Sequence, residues 1–316
     1  MSGSMGSMGS MGSMGSMGSM GSMGNAGGAT SAVLPERQGL PIWAEEPMAV
    51  AADGTLTPFA TPGTSVHPLS LFELPRDHTA AWTEHKWGGQ WYAWRVLNQF
   101  AVTPWQTELP PLADWRLCKV DAELDQLILM AQDERPDALG EIVAQDATYE
   151  QFANYFIRSL GISAISHPAT CTLLHVAGLI GLLTVMHFKD SPGKNIPPRP
   201  RPSQILPALR PPVDVPGHPS YPSGHATQSM LMALLVQQAM PKTTKAKWQP
   251  LLETLGYRMG RNREIAGLHY PSDSVAGRKL AWDIKEYIVK TMLKKGPLLA
   301  LLDLAKAEWP KPSAGA

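Results

Sequence analysis

The sequence has little of what marks a secreted, disulfide-bonded or zinc-binding protein. Only two of its 316 residues are cysteine, Cys118 and Cys171, and their spacing predicts neither a disulfide framework nor a zinc site. No basic residue followed by an apolar block opens the chain, so we expect no signal peptide and a cytoplasmic location. The basic and acidic side chains number 27 each. A net charge of zero argues against nucleic-acid binding through bulk electrostatics.

Long apolar runs are also scarce. One stretch, residues 169–188, approaches the length needed to cross a bilayer, but it contains His175 and His187 and no second stretch accompanies it. We therefore expect a core helix of a soluble protein, with no membrane span. Its two histidines are expected to be satisfied within the core.

The N-terminal part shows no pattern of a packed core. Residues 1–30 are dominated by a Met-Gly-Ser repeat, which predicts a disordered low-complexity tail. Residues 31–75 are rich in Pro, Gly, Ala and Thr, and are predicted to form extended coil. Residues 76–316 are then expected to form a single helical catalytic domain.

Helical periodicity dominates the rest of the chain, and the strand signal is weak throughout, so the predicted fold class is all-α. Three tryptophans, Trp87, Trp91 and Trp94, recur at helical spacing and are predicted to face the core. The other predicted helices cover 121–132, 147–160, 169–188, a segment after His225, 245–259 and 271–294.

One connection interrupts the helices. Residues 191–222 contain eleven prolines and no helical pattern, so this segment is expected to be extended or turning. A long non-helical connection inside a compact domain is usually functional.

Three blocks carry chemistry: residues 194–202, 222–225 and 263–273. Taken singly, each has an ordinary explanation. The lysine and arginines of the first block could be solvated charges, Ser223 and Gly224 could be a helix N-cap region, and His269 with Asp273 could be a surface pair.

Taken together, the blocks contain what a tetrahedral oxyanion requires. Lys194, Arg201 and Arg263 would supply fixed cations, and the Ser223 hydroxyl and Gly224 N–H would supply neutral donors. The helix start after this turn adds backbone N–H groups that have no partner within the helix.

Two histidines and a carboxylate complete the set. One histidine would attack or ligate the central atom, and the other would move a proton on the opposite side. Asp273 stands four residues after His269, where a carboxylate would fix the tautomer of the imidazole.

The order and spacing of the blocks resemble the signature of vanadium-dependent haloperoxidases, class A bacterial acid phosphatases and type 2 phosphatidic acid phosphatases. The pattern is Lys, six residues, Arg-Pro; then Pro-Ser-Gly-His; then Arg, five residues, His, three residues, Asp. It extends over about 80 residues, 194–273. One position departs, because Asn262 stands where the family usually has Ser.

The resemblance implies a mainly helical bundle and a role for each matching residue. His269 would be the phosphatase nucleophile or the axial vanadium ligand, Asp273 would orient it, and His225 would handle the proton. The residues implied to hold phosphate or vanadate are Lys194, Arg201, Ser223, Gly224 and Arg263.

Phosphate and vanadate would fit the same pocket, and between the two reactions the sequence slightly favours a haloperoxidase that oxidises bromide or iodide. The string 218–228, with His218 seven residues before His225, resembles the bromoperoxidase motif and favours halide oxidation by hydrogen peroxide with vanadate as cofactor. The alternative is a phosphatase that needs no cofactor. It is favoured by the short segment of 19 residues between the first two blocks and by Tyr270 after His269.

The expected partners are small molecules, namely peroxide and halide, or a phosphate ester. The oligomeric state is left open, a homo-oligomer included. A hypothesis from a different class is that residues 197–212 form a polyproline docking site, with Arg199 among its contacts.

Overall fold

A computed structural model describes Thr79 and residues 87–146, 148–193 and 195–309. The chain divides into two units, Met1–Lys86 and Trp87–Ala316. The tail and coil predicted for residues 1–30 and 31–75, and the side chain of Lys194, lie outside the described residues.

The described residues form eleven α-helices and two short 3-10 turns, with no strand among them, so the all-α prediction is confirmed. In chain order the helices are α1 Gly89–Ala101, α2 Trp105–Glu108, α3 Val120–Asp133, α4 Arg135–Ala144, α5 Tyr149–Leu160, α6 Pro168–Asp190, α7 Pro202–Ile205, α8 Gly224–Ala239, α9 Lys242–Ile265, α10 Pro271–Thr291 and α11 Pro297–Ala307. The 3-10 turns are Trp115–Leu117 and Pro207–Leu209.

Helices α6 and α8 form the centre of the bundle. Helix α8 is buried along nearly its whole length and packs against α6, α9 and α10, while α6 also packs against α1, α5 and α11. Helix α6 is the one helix of the described part long and apolar enough to cross a membrane, and 78% of its most apolar window is buried inside the protein. Its apolar residues therefore pack in the core, as the sequence predicted.

The N-terminus of α8 is held close to α10. Ser223 is the N-cap of α8, and its side chain accepts a hydrogen bond from the Ala226 N–H. A Cβ atom at Gly277 of α10 would lie only 2.5 Å from the Ser223 carbonyl oxygen. Glycine at this position lets the two helices approach where the site is formed.

One expectation differs from the structure. The tryptophans do not face the core, because α1 buries Ala93, Val96 and Phe100, while Trp94 is 43% exposed and Trp87 precedes the helix.

The proline-rich connection between α6 and α8 was expected to be extended or turning, and its turns include the single-turn helix α7 and a 3-10 turn. Proline at the first position of a turn is compatible with both short helices.

Candidate active site

The junction between α9 and α10 brings His269 into the core. Helix α9 ends at Ile265, and Gly267 follows with φ of +76°, a left-handed conformation that favours glycine. The backbone then folds back, so that the N–H groups of Leu268 and His269 both donate to the Arg263 carbonyl, at 3.0 and 3.3 Å. His269 is only 3% exposed.

Asp273 fixes the orientation of the His269 ring. Its Oδ2 atom lies 3.2 Å from His269 Nδ1 and also accepts hydrogen bonds from the Ser220 hydroxyl and the Tyr270 N–H. Because Oδ2 is the acceptor of these two hydrogen bonds, it also accepts from the ring, so Nδ1 carries the hydrogen. The lone pair of the neutral ring is therefore on Nε2.

Arg201 occupies the other side of that ring. Its Nη1 lies 3.1 Å from His269 Nε2 and also donates to the Leu268 carbonyl at 2.8 Å. Burial lowers the pKa of Arg201 to about 10, which leaves it charged at neutral pH. The lone pair of His269 thus lies at hydrogen-bond distance from a fixed cation, so an anion bound by Arg201 would lie beside His269 Nε2.

The same arginine binds His218. Nε of Arg201 donates to the His218 carbonyl at 3.0 Å, and Nη2 lies 3.0 Å from His218 Nδ1. Because the guanidinium only donates, Nδ1 accepts, and Nε2 of His218 carries the hydrogen. Burial and the charges of Lys189 and Arg201 lower the pKa of His218 to about 4.

His225 lies in the first turn of α8, after Ser223 and Gly224. The N–H groups of a first helical turn have no carbonyl partner within the helix, as the anion-site prediction requires. Ser223 is fully buried, and its own N–H donates to the Asp273 carbonyl at 3.0 Å. This bond connects the second block of the sequence directly to the third.

The His225 ring is held by a backbone carbonyl. Its Nε2 lies 2.9 Å from the Gln145 carbonyl oxygen, so this nitrogen donates. Burial, followed by the charge of Arg263, lowers the pKa of His225 to about 3. Asn262, the residue that departs from the family pattern, donates to the side chains of Gln145 and Glu141, both at 2.9 Å. It therefore helps to hold Gln145, whose carbonyl accepts from His225.

Arg263 reaches the same region from the last turn of α9. Its terminal nitrogens donate to Asp146 and to the Ile142 carbonyl. Its Nε is buried without a hydrogen-bond partner among the described residues. Burial lowers its pKa to about 10, and burial also raises the pKa of Asp146. A buried donor without a partner fits a site that receives an oxyanion.

Lys189 is a cation of this region that sequence reasoning missed. It is 1% exposed, and its ammonium group donates to the carbonyls of Pro219 and Ser220 at 2.6 and 3.0 Å. Burial and the charge of Arg201 lower its pKa well below the ordinary value. The only sequence signal was its place in the last turn of α6. A lysine there is ordinarily expected to be exposed and to interact with the helix dipole.

The structure brings together all predicted site residues that it describes. His269 and Asp273 are buried side by side, Arg201 joins them to His218, and Ser223 joins them to the start of α8 with Gly224 and His225. The Arg263 carbonyl accepts the N–H groups of Leu268 and His269, which connects this arginine to them. The position of Lys194 stays a prediction. The described residues contain no group of three or more His, Cys, Asp and Glu side chains able to hold a metal ion.

Fold and site together define a class: an all-helical protein with a buried His–Asp pair that faces arginine side chains at the start of a core helix. Residues 169–295 match the model of the PAP2 superfamily, in the part of the chain that holds this site.

Two curated relatives are similar over a shorter region. The non-specific acid phosphatase of Salmonella typhi is 42% identical over 59 residues, which is 19% of this chain and 22% of the relative. The non-specific acid phosphatase of Salmonella typhimurium is 39% identical over the same number of residues, with the same coverage. The chain thus spans about a fifth of the length of the curated relatives it matches.

Proposed function

We propose that the protein is a phosphatase that hydrolyses phosphate monoesters through a phosphohistidine at His269. The observation that carries this proposal is the placement of His269, with Nδ1 on Asp273 and the Nε2 lone pair toward Arg201. Similarity to two acid phosphatases supports hydrolysis over halide oxidation, which the sequence alone had favoured.

In the proposed reaction, His269 Nε2 attacks phosphorus and the bond from phosphorus to the leaving oxygen breaks. Arg201, Arg263 and the first N–H groups of α8 stabilise the charge on the three remaining oxygens. His225 donates a proton to the departing alcohol. A water molecule, deprotonated by His225, then attacks phosphorus, and inorganic phosphate leaves with His269 restored.

Substrate itself would prepare His225 for the first step. Without an anion, burial and the charge of Arg263 keep the pKa of His225 near about 3, so the ring is neutral. A bound phosphate dianion opposes these positive charges and raises the pKa of the histidine. Binding of phosphate is therefore expected to take up a proton.

The decisive experiment is to trap the intermediate. The full chain is incubated with a ³²P-labelled monoester, quenched in alkali, which preserves phosphohistidine, and mapped by mass spectrometry. Label on His269 and its loss in His269→Ala support the proposal. Hydrolysis at the wild-type rate by His269→Ala would refute the assignment, because losing a nucleophile costs orders of magnitude in kcat. His167→Ala, a histidine that contacts Trp309, is the matched control.

Halide oxidation is kept as the second candidate because of His218. The donors around His269 suit vanadate as well as phosphate, since both are tetrahedral oxyanions. Arg201, Ser223, Gly224 and Arg263 would hold it, His269 would ligate it, and the bound vanadate would supply peroxide activation. Bromination of a diketone with vanadate and peroxide tests this reading. Bromination that disappears in His218→Ala, together with no ester hydrolysis by the wild-type protein, would favour halide oxidation over phosphatase activity.

A further inference from the structure

Arg199 lies two residues before Arg201 in the same Pro-Arg-Pro-Arg-Pro run, yet its side chain has a different environment. It is 2% exposed and donates through Nη1 to Asp273 Oδ1 at 2.7 Å and to the Ser272 hydroxyl at 2.7 Å. Its guanidinium also lies over the Tyr270 ring, 3.6 Å from the centroid. Arg199 is therefore directed at the back of the His269–Asp273 pair and not at a docking partner.

Glu123 of α3 holds the other end of this guanidinium. Its Oε2 accepts from Arg199 Nη2 at 2.8 Å and from the Ser272 hydroxyl at 2.9 Å. Its Oε1 accepts from the Ser272 N–H at 2.7 Å, in the first turn of α10. A carboxylate at a helix N-terminus is favoured by the helix dipole. Glu123 lies before residue 169, where the match to the superfamily begins.

We infer that Arg199, held by Glu123, is a positioning residue that fixes Asp273 and aims its Oδ2 atom at His269 Nδ1. The inference deepens the proposed function and rests on it for the activity readout. Asp273 is fully buried, so both of its oxygens need partners within the protein. Arg199 supplies one at Oδ1, which leaves Oδ2 for His269, Ser220 and the Tyr270 N–H.

The electrostatics of Arg199 agree with this geometry. Burial acts to lower its pKa, but the charges of Asp273 and Glu123 and the bonds to them outweigh burial and raise it. One guanidinium thus serves two carboxylates, and its planar fork sets the distance between them. The guanidinium contacts Asp273, Ser272 and Glu123 from two separate nitrogens. The donors of a lysine all radiate from one nitrogen, so they cannot reach these three partners in the same geometry.

The test compares three variants in the full chain: Arg199→Gln, Arg199→Lys and Glu123→Gln. Loss of a partner that orients a reacting histidine costs about 10- to 100-fold in activity, so we expect kcat to fall by that factor in Arg199→Gln. Smaller falls are expected in Arg199→Lys and Glu123→Gln. KM and inhibition by orthovanadate should stay within about twofold, because Arg199 does not face the anion.

A second measurement does not depend on turnover. ¹⁵N-histidine NMR of the full chain should show His269 with its hydrogen on Nδ1, and this signature should weaken in the order Glu123→Gln, Arg199→Lys, Arg199→Gln. Arg116→Gln, which removes an exposed arginine paired with Asp114, is the matched control and should change neither readout.

The outcomes separate the two proposals. A wild-type chain without phosphatase activity contradicts the proposed function, while the NMR signature still tests the positioning role. Arg199→Gln with kcat within threefold of wild type and an unchanged signature would overturn that role. If Arg199→Gln does not fold, the same two results in Arg199→Lys and Glu123→Gln overturn it. A uniform loss of stability, with unchanged kcat in the folded fraction, would assign Arg199 to structure alone.

Discussion

The two segments that form the site both combine backbone hydrogen bonds with side-chain donors, but the proline-rich segment depends more on donors from other elements. In the α9–α10 junction the backbone bonds to itself, since the Arg263 carbonyl accepts the N–H groups of Leu268 and His269. In the connection between α6 and α8, side chains from elsewhere bond the carbonyls, as Lys189 does at Pro219 and Ser220 and Trp115 does at Pro197.

Proline explains the difference. Each proline removes a backbone N–H, so the connection has fewer donors for its own carbonyls, although some remain, such as the Ser220 N–H that bonds the Arg199 carbonyl. Buried carbonyls must still be paired, and donors from other elements meet that need. The conformation of the connection should therefore depend on single side chains of other elements, such as Lys189 and Trp115. The conformation of the junction should depend more on its own backbone hydrogen bonds.

Arg201→Met should have the largest effect, because this side chain joins the two segments. It removes donors to the His218 and Leu268 carbonyls and the cation at His269 Nε2. We expect kcat/KM for a monoester to fall about 10²- to 10³-fold, as for loss of one donor to a developing oxyanion. Steady-state kinetics of the folded variant measure this. A loss below tenfold would show that Arg201 does not bind the anion.

Lys189→Met should destabilise the protein more than it changes KM. It leaves two carbonyls without donors, and each buried unpaired group costs about 1–3 kcal/mol. The lowered pKa of Lys189 reflects its burial, and the Ser220 carbonyl is buried with it. Urea unfolding measures the change. Lys279→Met, which removes a lysine whose side chain is 63% exposed and paired with Asp283, is the control and should shift the midpoint little. Equal shifts in both variants would contradict the dependence on Lys189.

Acid should destabilise the fold partly through His218, the histidine of the connection. Its pKa is lowered from 6.5 to about 4, so the unfolded chain binds the proton more readily between those values. The stabilisation is complete above pH 6.5 and is lost as pH falls toward 4. His218→Asn should flatten the dependence by at most about 1.4 kcal/mol per pH unit.

Urea unfolding of wild type and His218→Asn at pH 7 and pH 5 measures this slope. The pKa values of His225 and His269 are also lowered, so both histidines add to the slope in the same direction. Both are present in wild type and in the variant. An unchanged slope would mean that His218 is protonated in the folded state.

Trp115→Phe should have the smallest effect. It removes one hydrogen bond, from Nε1 to the Pro197 carbonyl at 2.8 Å, and keeps most of the ring. The cost of a single hydrogen bond is about 0.5–1.5 kcal/mol, and kcat should change by less than about threefold. Thermal unfolding and kinetics on the same sample check both. A large loss of activity would show that position 115 controls the connection more tightly than one bond explains.

Periodicity in the sequence predicted the helices that pack through regular apolar faces. The predictions at 121–132, 147–160, 169–188 and 271–294 correspond to α3, α5, α6 and α10 with small shifts at the ends. Helices α4 and α11 were missed. The predicted tryptophan face of α1 was wrong, because the helix buries a different face, with Ala93, Val96 and Phe100, and packs against α6.

The sequence predicted the residues of the proposed site, but it did not predict the residues that hold them, Arg199 and Glu123. Arg199 and Arg201 stand in the same proline setting, and nothing local separates the residue that faces His269 from the one that faces Asp273. Glu123 is one of several acids on an amphipathic helix. Its contact with residue 272 spans 149 positions, which no short motif records.

The sequence by itself determined the helical class and the central apolar helices, and it predicted the residues of the proposed oxyanion site. These follow from short-range properties: period, turn chemistry and the spacing of charged side chains. Tertiary structure alone decided which arginine binds which partner, which lysine is buried, and that an acid of α3 completes the support of Asp273. Those choices depend on pairing buried charges across distant parts of the chain, and only the packed fold sets the distances that make the pairing favourable.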